Sequence, residues 1–219
     1  MHQPSTHTTT LNGAASLLVA ALEHTWHTIR TRHPDVPDAV LVVASGAEGK
    51  RLNLGHFAPH RWHVQGADRH EVLVGGEGLQ RGPTDVLGTL LHEAAHGLAQ
   101  ARGVQDTSRQ GRYHNRRYAT LARELGLEVA SVQPIGWSAT TVPEPTAAAY
   151  AGQLEDLAAA LVLWRRHEHR LGTGPPSRNL LAATCDCGRR IRVAKTTLAE
   201  APILCSRCAQ PFHPDDQDL

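Results

Sequence analysis

Residues 92–96 read His92-Glu93-Ala94-Ala95-His96, and this spacing constrains the fold more than any other stretch of the chain. On an α-helix, positions i and i+4 are separated by about 400° of rotation, so the two imidazoles differ by only ~40° and aim at one point. Glu93 then falls beside that point without joining the pair. The neighbouring residues supply the helix. Pro83-Thr84-Asp85 are start signals and Gly103 is a stop, while Val86, Leu87, Leu90, Leu91, Ala94, Ala95 and Leu98 form one apolar face.

Paired histidines at this spacing are metal ligands in zinc peptidases, where the intervening carboxylate takes a proton from water and returns it to the leaving amine. A catalytic zinc needs three protein ligands and an open fourth position, so one ligand is missing from the motif. The pattern that supplies a third His at short spacing, with a later Met-turn, is excluded: Ala99 and Arg102 stand at its Gly and His positions, and Met1 is the only methionine. Glu124 and Glu128 are candidates, as is His114 in Arg112-Tyr113-His114-Asn115-Arg116-Arg117-Tyr118.

The remaining elements suggest an α+β chain. Leu17, Leu18, Ala21, Leu22, Trp26 and Ile29 recur at helical spacing and predict a helix over residues 14–32, ended near Pro34. Val40–Val43, Arg61–Val64 and Val72–Val74 are short strand candidates. A helix is expected from His114 to Leu125, a loop over residues 130–146, and an Ala-rich helix from Thr146 to Arg170. Gly172–Ser177 has linker composition.

Four cysteines all fall between residues 185 and 208, as Cys185-Asp-Cys187 and Cys205-Ser-Arg-Cys208. Two close pairs separated by a hairpin-length insert fit a closed, four-thiolate structural zinc site. The N-terminus is a poor export signal and no apolar run approaches the roughly 20 residues that cross a bilayer, so a cytoplasmic protein without membrane contact is expected. The formal charge of +1 argues against a uniformly basic nucleic-acid coat. Locally the balance differs. Residues 162–200 hold eight basic and three acidic side chains, and residues 102–124 hold six Arg and two acidic groups. These Arg-rich patches are candidate contacts for DNA phosphates.

With Thr89–Leu98 around the His-Glu pair, an aromatic-flanked His114 and a four-cysteine ribbon, the chain resembles the SprT-like (Spartan-type) zinc metalloprotease family. The resemblance implies a zincin-like metallopeptidase domain over residues 12–142, built from an N-terminal helix, a short β-sheet, the HExxH helix and a second ligand helix. Residues 1–11 precede it as a flexible N-terminus. An Ala-rich helix and linker over 143–178, a zinc ribbon over 179–213 and an acidic tail over 214–219 follow it. By that resemblance His92, His96 and His114 hold a catalytic Zn2+, and Glu93 is the general base. The substrate is a protein or peptide, and some members act in association with DNA. Cys185, Cys187, Cys205 and Cys208 hold a structural Zn2+. The resemblance also places Val72–Val74 along the substrate cleft, and Tyr113 and Tyr118 are candidate oxyanion donors. The chain departs from the family pattern at Asn115-Arg116-Arg117, where members often carry Gly and then an acidic residue.

Overall fold

The computed structural model describes residues 13–48, 51–166 and 180–215, which fall into two compact units divided at residues 168 and 169. The first opens with α1 (Ala14–Arg32), whose Leu18, Leu22, Trp26 and Ile29 are buried while Glu23 and His27 face outward. His33, ahead of Pro34, leaves helical geometry and ends it. Five strands follow: β1 (Ala39–Ala44), the short antiparallel pair β2 (Ala47–Glu48) and β3 (Arg51–Leu52), β4 (Gly55–Val64) and β5 (Ala67–Gly75).

β5 is the middle strand of a three-stranded sheet, parallel to β1 and antiparallel to β4. Leu41, Phe57, Val72 and Val74 turn into the core. A bulge between Ala58 and Trp62, at Pro59 and the positive-φ His60, lets the outer half of the β4–β5 hairpin leave the core with Trp62 and Val64 exposed. The expectation that Val72–Val74 borders a cleft is therefore corrected. That segment is on the central strand, with Val72 and Val74 buried, and β4 is the edge strand next to α2.

A 3-10 turn (Gly76–Arg81) leads into α2 (Pro83–Ala101), within a residue or two of its sequence signals. Leu87, Leu90, Leu91, Ala94, Ala95 and Leu98 are fully buried on α2, each large side chain contributing on the order of 1.5–3 kcal/mol by leaving water. Then come β6 (Thr107–Ser108), β7 (Tyr113–His114), α3 (Arg116–Glu124), β8 (Glu128–Val132), β9 (Gly136–Thr141), α4 (Glu144–Ala149) and α5 (Ala151–Ala160). Strands β6 to β9 form a second sheet in the order β6-β7-β9-β8. α2 packs against α1, α3, α5 and β4, which places it at the centre of the unit.

Three local expectations change. The helix expected from His114 begins at Arg116, because Asn115 accepts the backbone N–H groups of Arg117 and Tyr118 at 2.8 and 3.3 Å and caps it. His114 thus sits on β7, and the ligand helix implied by the family resemblance carries no ligand. The loop expected over residues 130–146 contains most of the β8–β9 hairpin. The Ala-rich helix is interrupted at Tyr150 and ends at Ala160. Beyond it the chain runs across the 3-10 turn, with the Arg165 N–H donating to Gly76 O at 3.0 Å and the Arg165 side chain 2.6 Å from Glu77. Tyr150, Leu157 and Ala160 belong to the core of this first unit, so the Ala-rich region is part of the domain and not a connector. The expected flexible N-terminus (1–11), the end of that helix (167–170), the linker (172–177) and the last tail residues (216–219) lie outside the described residues.

The second unit is small. β10 (Leu180–Thr184) pairs with β11 (Arg190–Ala194) and with β12 (His213–Pro214), and α6 (Lys195–Glu200) follows β11. Leu181, Ala183 and Phe212 pack with Cys185 and Cys205 as its core. Among the described residues no helix is long and apolar enough to cross a membrane.

Candidate functional site

α2 presents His92, Glu93 and His96 on one turn, and β7 brings His114 across to them. The position of β7 is fixed by β9: the His114 N–H donates to Ile135 O at 3.0 Å, and His114 is registered against Gly136. Gly136 has φ 76°, and a Cβ there would collide with the His114 carbonyl. Glycine is thus required for the two strands to meet at the site.

The three imidazoles converge through Nε2. His114 Nε2 lies 3.1 Å from His96 Nε2 and 3.3 Å from His92 Nε2. Three nitrogens bound tetrahedrally at about 2.1 Å to one ion would be roughly 3.4 Å apart, so the group is able to hold a metal ion. The other ring nitrogens set the tautomers. His96 Nδ1 donates to Asp106 Oδ2 at 2.5 Å, and His92 Nδ1 is 3.3 Å from the Thr140 hydroxyl. With its ring proton held on Nδ1 by Asp106, His96 turns its Nε2 lone pair toward the other two Nε2 atoms, an arrangement that a shared cation stabilises. His114 Nδ1 is buried and has no partner among the described residues.

Burial, with His96 and His114 next to it, holds His92 well below the ordinary imidazole value. Burial and then His96 take His114 down to about 4. For His96, burial also lowers the value, but the Asp106 hydrogen bond and the Glu93 and Asp106 charges outweigh it and the net shift is upward. Glu93 is 4% exposed, and burial pushes its carboxyl up to about 7 despite a hydrogen bond from the Phe57 N–H of β4. β4 approaches so closely that a Cβ on Gly55 would lie 2.6 Å from Glu93 Oε1 and 2.8 Å from Thr89 Cγ2. Edge strand and helix therefore meet at the carboxylate.

His92, Glu93, His96 and His114 open on a cavity of about 580 Å³ bordered by Leu54 and Gly55 on one side and by Ser138 and Thr140 of β9 on another. Neither Tyr113 nor Tyr118 is on its wall. Tyr118 is fully buried behind the imidazoles, its ring centroid 4.5–4.9 Å from all three, and its hydroxyl has no partner among the described residues. It is a packing support and not an oxyanion donor. Tyr113 lies under the Arg109 guanidinium, 5.0 Å from its ring centroid. Of the alternative third ligands, Glu124 is engaged by Arg102 at 2.7 Å and Glu128 is exposed at the start of β8. Asp106, Thr140 and Gly55 are site residues that the motif does not reveal. Asp106 follows His96 by ten residues in a loop, and Thr140 lies in the stretch whose composition reads as loop.

Some of the basic side chains in the Arg-rich stretches are engaged by the protein itself. Arg102 bonds Asp35 and Glu124, Arg123 donates to Val129 O and covers Trp137, Arg165 pairs with Glu77, and Arg190 pairs with Asp215.

In the second unit all four thiols converge and are able to hold a metal ion. Cys187 Sγ and Cys205 Sγ are 3.7 Å apart, and Cys208 Sγ and Cys185 Sγ 3.9 Å, against about 3.8 Å for thiolates arranged tetrahedrally on zinc. Cys185 and Cys187, with one residue between them, are closer, at 3.1 Å. Each pair sits on a turn closed by backbone bonds, Gly188 N–H to Cys185 O and Ala209 N–H to Cys205 O, both 2.8 Å. The backbone N–H groups of Arg207 and Cys208 draw the Cys205 thiol down to about 6, toward the thiolate a metal requires. No protein-family model, curated protein or solved structure matches the chain.

Proposed function

We propose that the chain is a zinc-dependent metallopeptidase of SprT-like type, hydrolysing peptide bonds of protein substrates with Glu93 as general base. The observation behind it is the convergence of three imidazole Nε2 atoms on one point, with a buried carboxylate beside them and a cleft above. Unlike Asp106, which orients a ligand, Glu93 bonds none of the three imidazoles, and a structural metal site has no use for such a carboxylate. Zinc at the three imidazoles, when bound, acidifies water and polarises a peptide carbonyl. His92, His96 and His114 are the residues that would hold it, and Asp106 keeps the His96 proton on Nδ1 so that Nε2 faces the ion. Glu93, with a carboxyl near 7, is matched to taking a proton from the attacking water at neutral pH and passing it to the departing amine. The Phe57 N–H fixes the direction of that carboxylate.

The four cysteines would hold a second zinc whose contribution is folding energy, since a closed thiolate site leaves no position for substrate. Arg116, Arg117, Arg166, Arg192 and Lys195 are among the exposed basic side chains that make no ion pair among the described residues, and they are candidates to contact DNA phosphates. The test is zinc content measured together with cleavage. Protein carrying two zinc per chain should cleave an unstructured protein, lose that activity on chelation and regain it with added zinc. Two zinc per chain with no cleavage would contradict the proposal.

A further inference from the structure

We infer that the cleft selects peptides carrying a carboxylate next to the scissile bond, and that Arg81 is the residue that reads it; this rests on the peptidase function proposed above. Arg81 ends the 3-10 turn and lines the cavity. Its Nη2 donates to Thr89 Oγ1 at 3.0 Å and to Asp85 O at 3.1 Å, and its Nε to Gly78 O at 3.4 Å. These acceptors are all neutral: they fix the guanidinium without cancelling its charge. Arg30, Arg102 and Arg165 in the same unit each have a carboxylate within 2.9 Å, whereas Arg81 has none at ion-pair distance among the described residues.

The location is next to the chemistry. Thr89, which holds Arg81, precedes Glu93 by one turn of α2, roughly 5–6 Å along the axis, and a Cβ on Gly55 would touch both Thr89 and Glu93. Across the cleft, Arg112 stands two residues before His114, and among the described residues its guanidinium bonds only the Gln110 side chain, at 3.2 Å. A second hollow shares Gln110, Arg112 and Ile135 with the cleft and adds Arg109 and Pro134, with no acidic residue. The acids on the cleft wall are Glu93, buried beneath the imidazoles, and Asp85, exposed on the first turn of α2. A lysine brought in by a substrate meets two guanidinium groups, while an acidic group meets the Arg81 Nη1 donors that these three bonds leave over. The matching carboxylate is supplied either by an Asp or Glu side chain or by the end of a chain.

The experiment uses one fluorogenic peptide with Asp, Asn or Lys at the positions flanking the cleaved bond, each with a free or an amidated C-terminus. Zinc-loaded protein should cleave the Asp peptide about tenfold better in kcat/KM than the Asn peptide, with the Lys peptide poorer still. Arg81→Gln should bring the Asp/Asn ratio to about one at unchanged zinc content, while Arg61→Gln, a charge-matched change on the outer β4–β5 hairpin, preserves it. An Asp-over-Asn preference kept after amidation assigns the carboxylate to a side chain, and a loss of rate on amidation that is the same for all three peptides assigns it to the chain end. Equal kcat/KM for Asp and Lys peptides, with free and amidated ends alike, overturns the inference. Binding to zinc-loaded Glu93→Gln separates recognition from catalysis. Tighter binding of the Asp peptide without any turnover in the parent would uphold the recognition and sink the peptidase, and equal binding of Asp and Lys peptides would sink the recognition alone.

Discussion

Asp106 is the most informative perturbation because it touches neither water nor substrate in the proposed reaction and acts only through His96. Its carboxylate accepts a hydrogen bond from His96 Nδ1 at 2.5 Å, and the two side chains are 14% and 18% exposed, so solvent replaces the bond poorly. Removing a carboxylate that orients a metal-binding imidazole costs 10–100-fold in metal affinity. With this burial Asp106→Ala should fall in the upper half of that range, about 30-fold or more, or about 2 kcal/mol. Asp106→Asn keeps an accepting oxygen and should lose less. Thr140→Val removes a longer contact, 3.3 Å, to a neutral hydroxyl and should cost only a few-fold. A chromogenic chelator titrated into the full chain reads this directly, since the histidine site should shift while release from the four cysteines stays in place. Zinc leaving Asp106→Ala at the same chelator concentration as the parent would refute the reasoning, as would Thr140→Val proving the more damaging change.

Three other outcomes follow from the same geometry. Glu93 must be ionised to act as a base, and burial has raised its carboxyl to about 7; kcat/KM should therefore fall as pH drops through 7 or, with a cation drawing the value down, somewhat below, and a flat profile from pH 5 to 8 would count against this role. Gly55→Ala puts a methyl group 2.6 Å from Glu93 Oε1 and should lower kcat by up to ~100-fold by displacing the carboxylate, with zinc content and melting temperature measured alongside to separate displacement from unfolding. Tyr118→Phe deletes a buried hydroxyl that has no partner among the described residues but keeps the ring behind the imidazoles; kcat should stay within about twofold and stability should hold or rise slightly, whereas a hundredfold loss of kcat would restore Tyr118 as an oxyanion donor.

The parts of the fold that were legible in the sequence are those specified by local signals. α1 and α2 have apolar faces at helical spacing and residues at their ends that cannot continue a helix, and both appear within a residue or two of expectation. The β8–β9 hairpin was hidden because Pro134 and Gly136 interrupt it and its outer residues are exposed, which removes the alternation that marks a half-buried strand. α5 stops at Ala160 with no glycine or proline there; Arg165 instead joins the buried Glu77, a tertiary contact that no local pattern encodes. At the site, the His92–His96 pair announced itself by spacing, and His114 by its aromatic neighbours. The side chains that tune them come from elsewhere: Asp106 from the loop after α2 and Thr140 from a strand that reads as loop. Such partners are found only once the chain has folded, because hydrogen-bond reach depends on β7 and β9 pairing and not on distance along the sequence.

The central claim is that the three histidines and Glu93 form one catalytic centre, and its most direct test is the rate of Glu93→Gln against the parent at matched zinc content. Glu93 touches the edge strand and not the converging Nε2 atoms, so the variant should retain two zinc per chain while its kcat on an unstructured protein falls by about 10²–10⁴-fold. Parent-level cleavage by a fully loaded Glu93→Gln protein would contradict the claim.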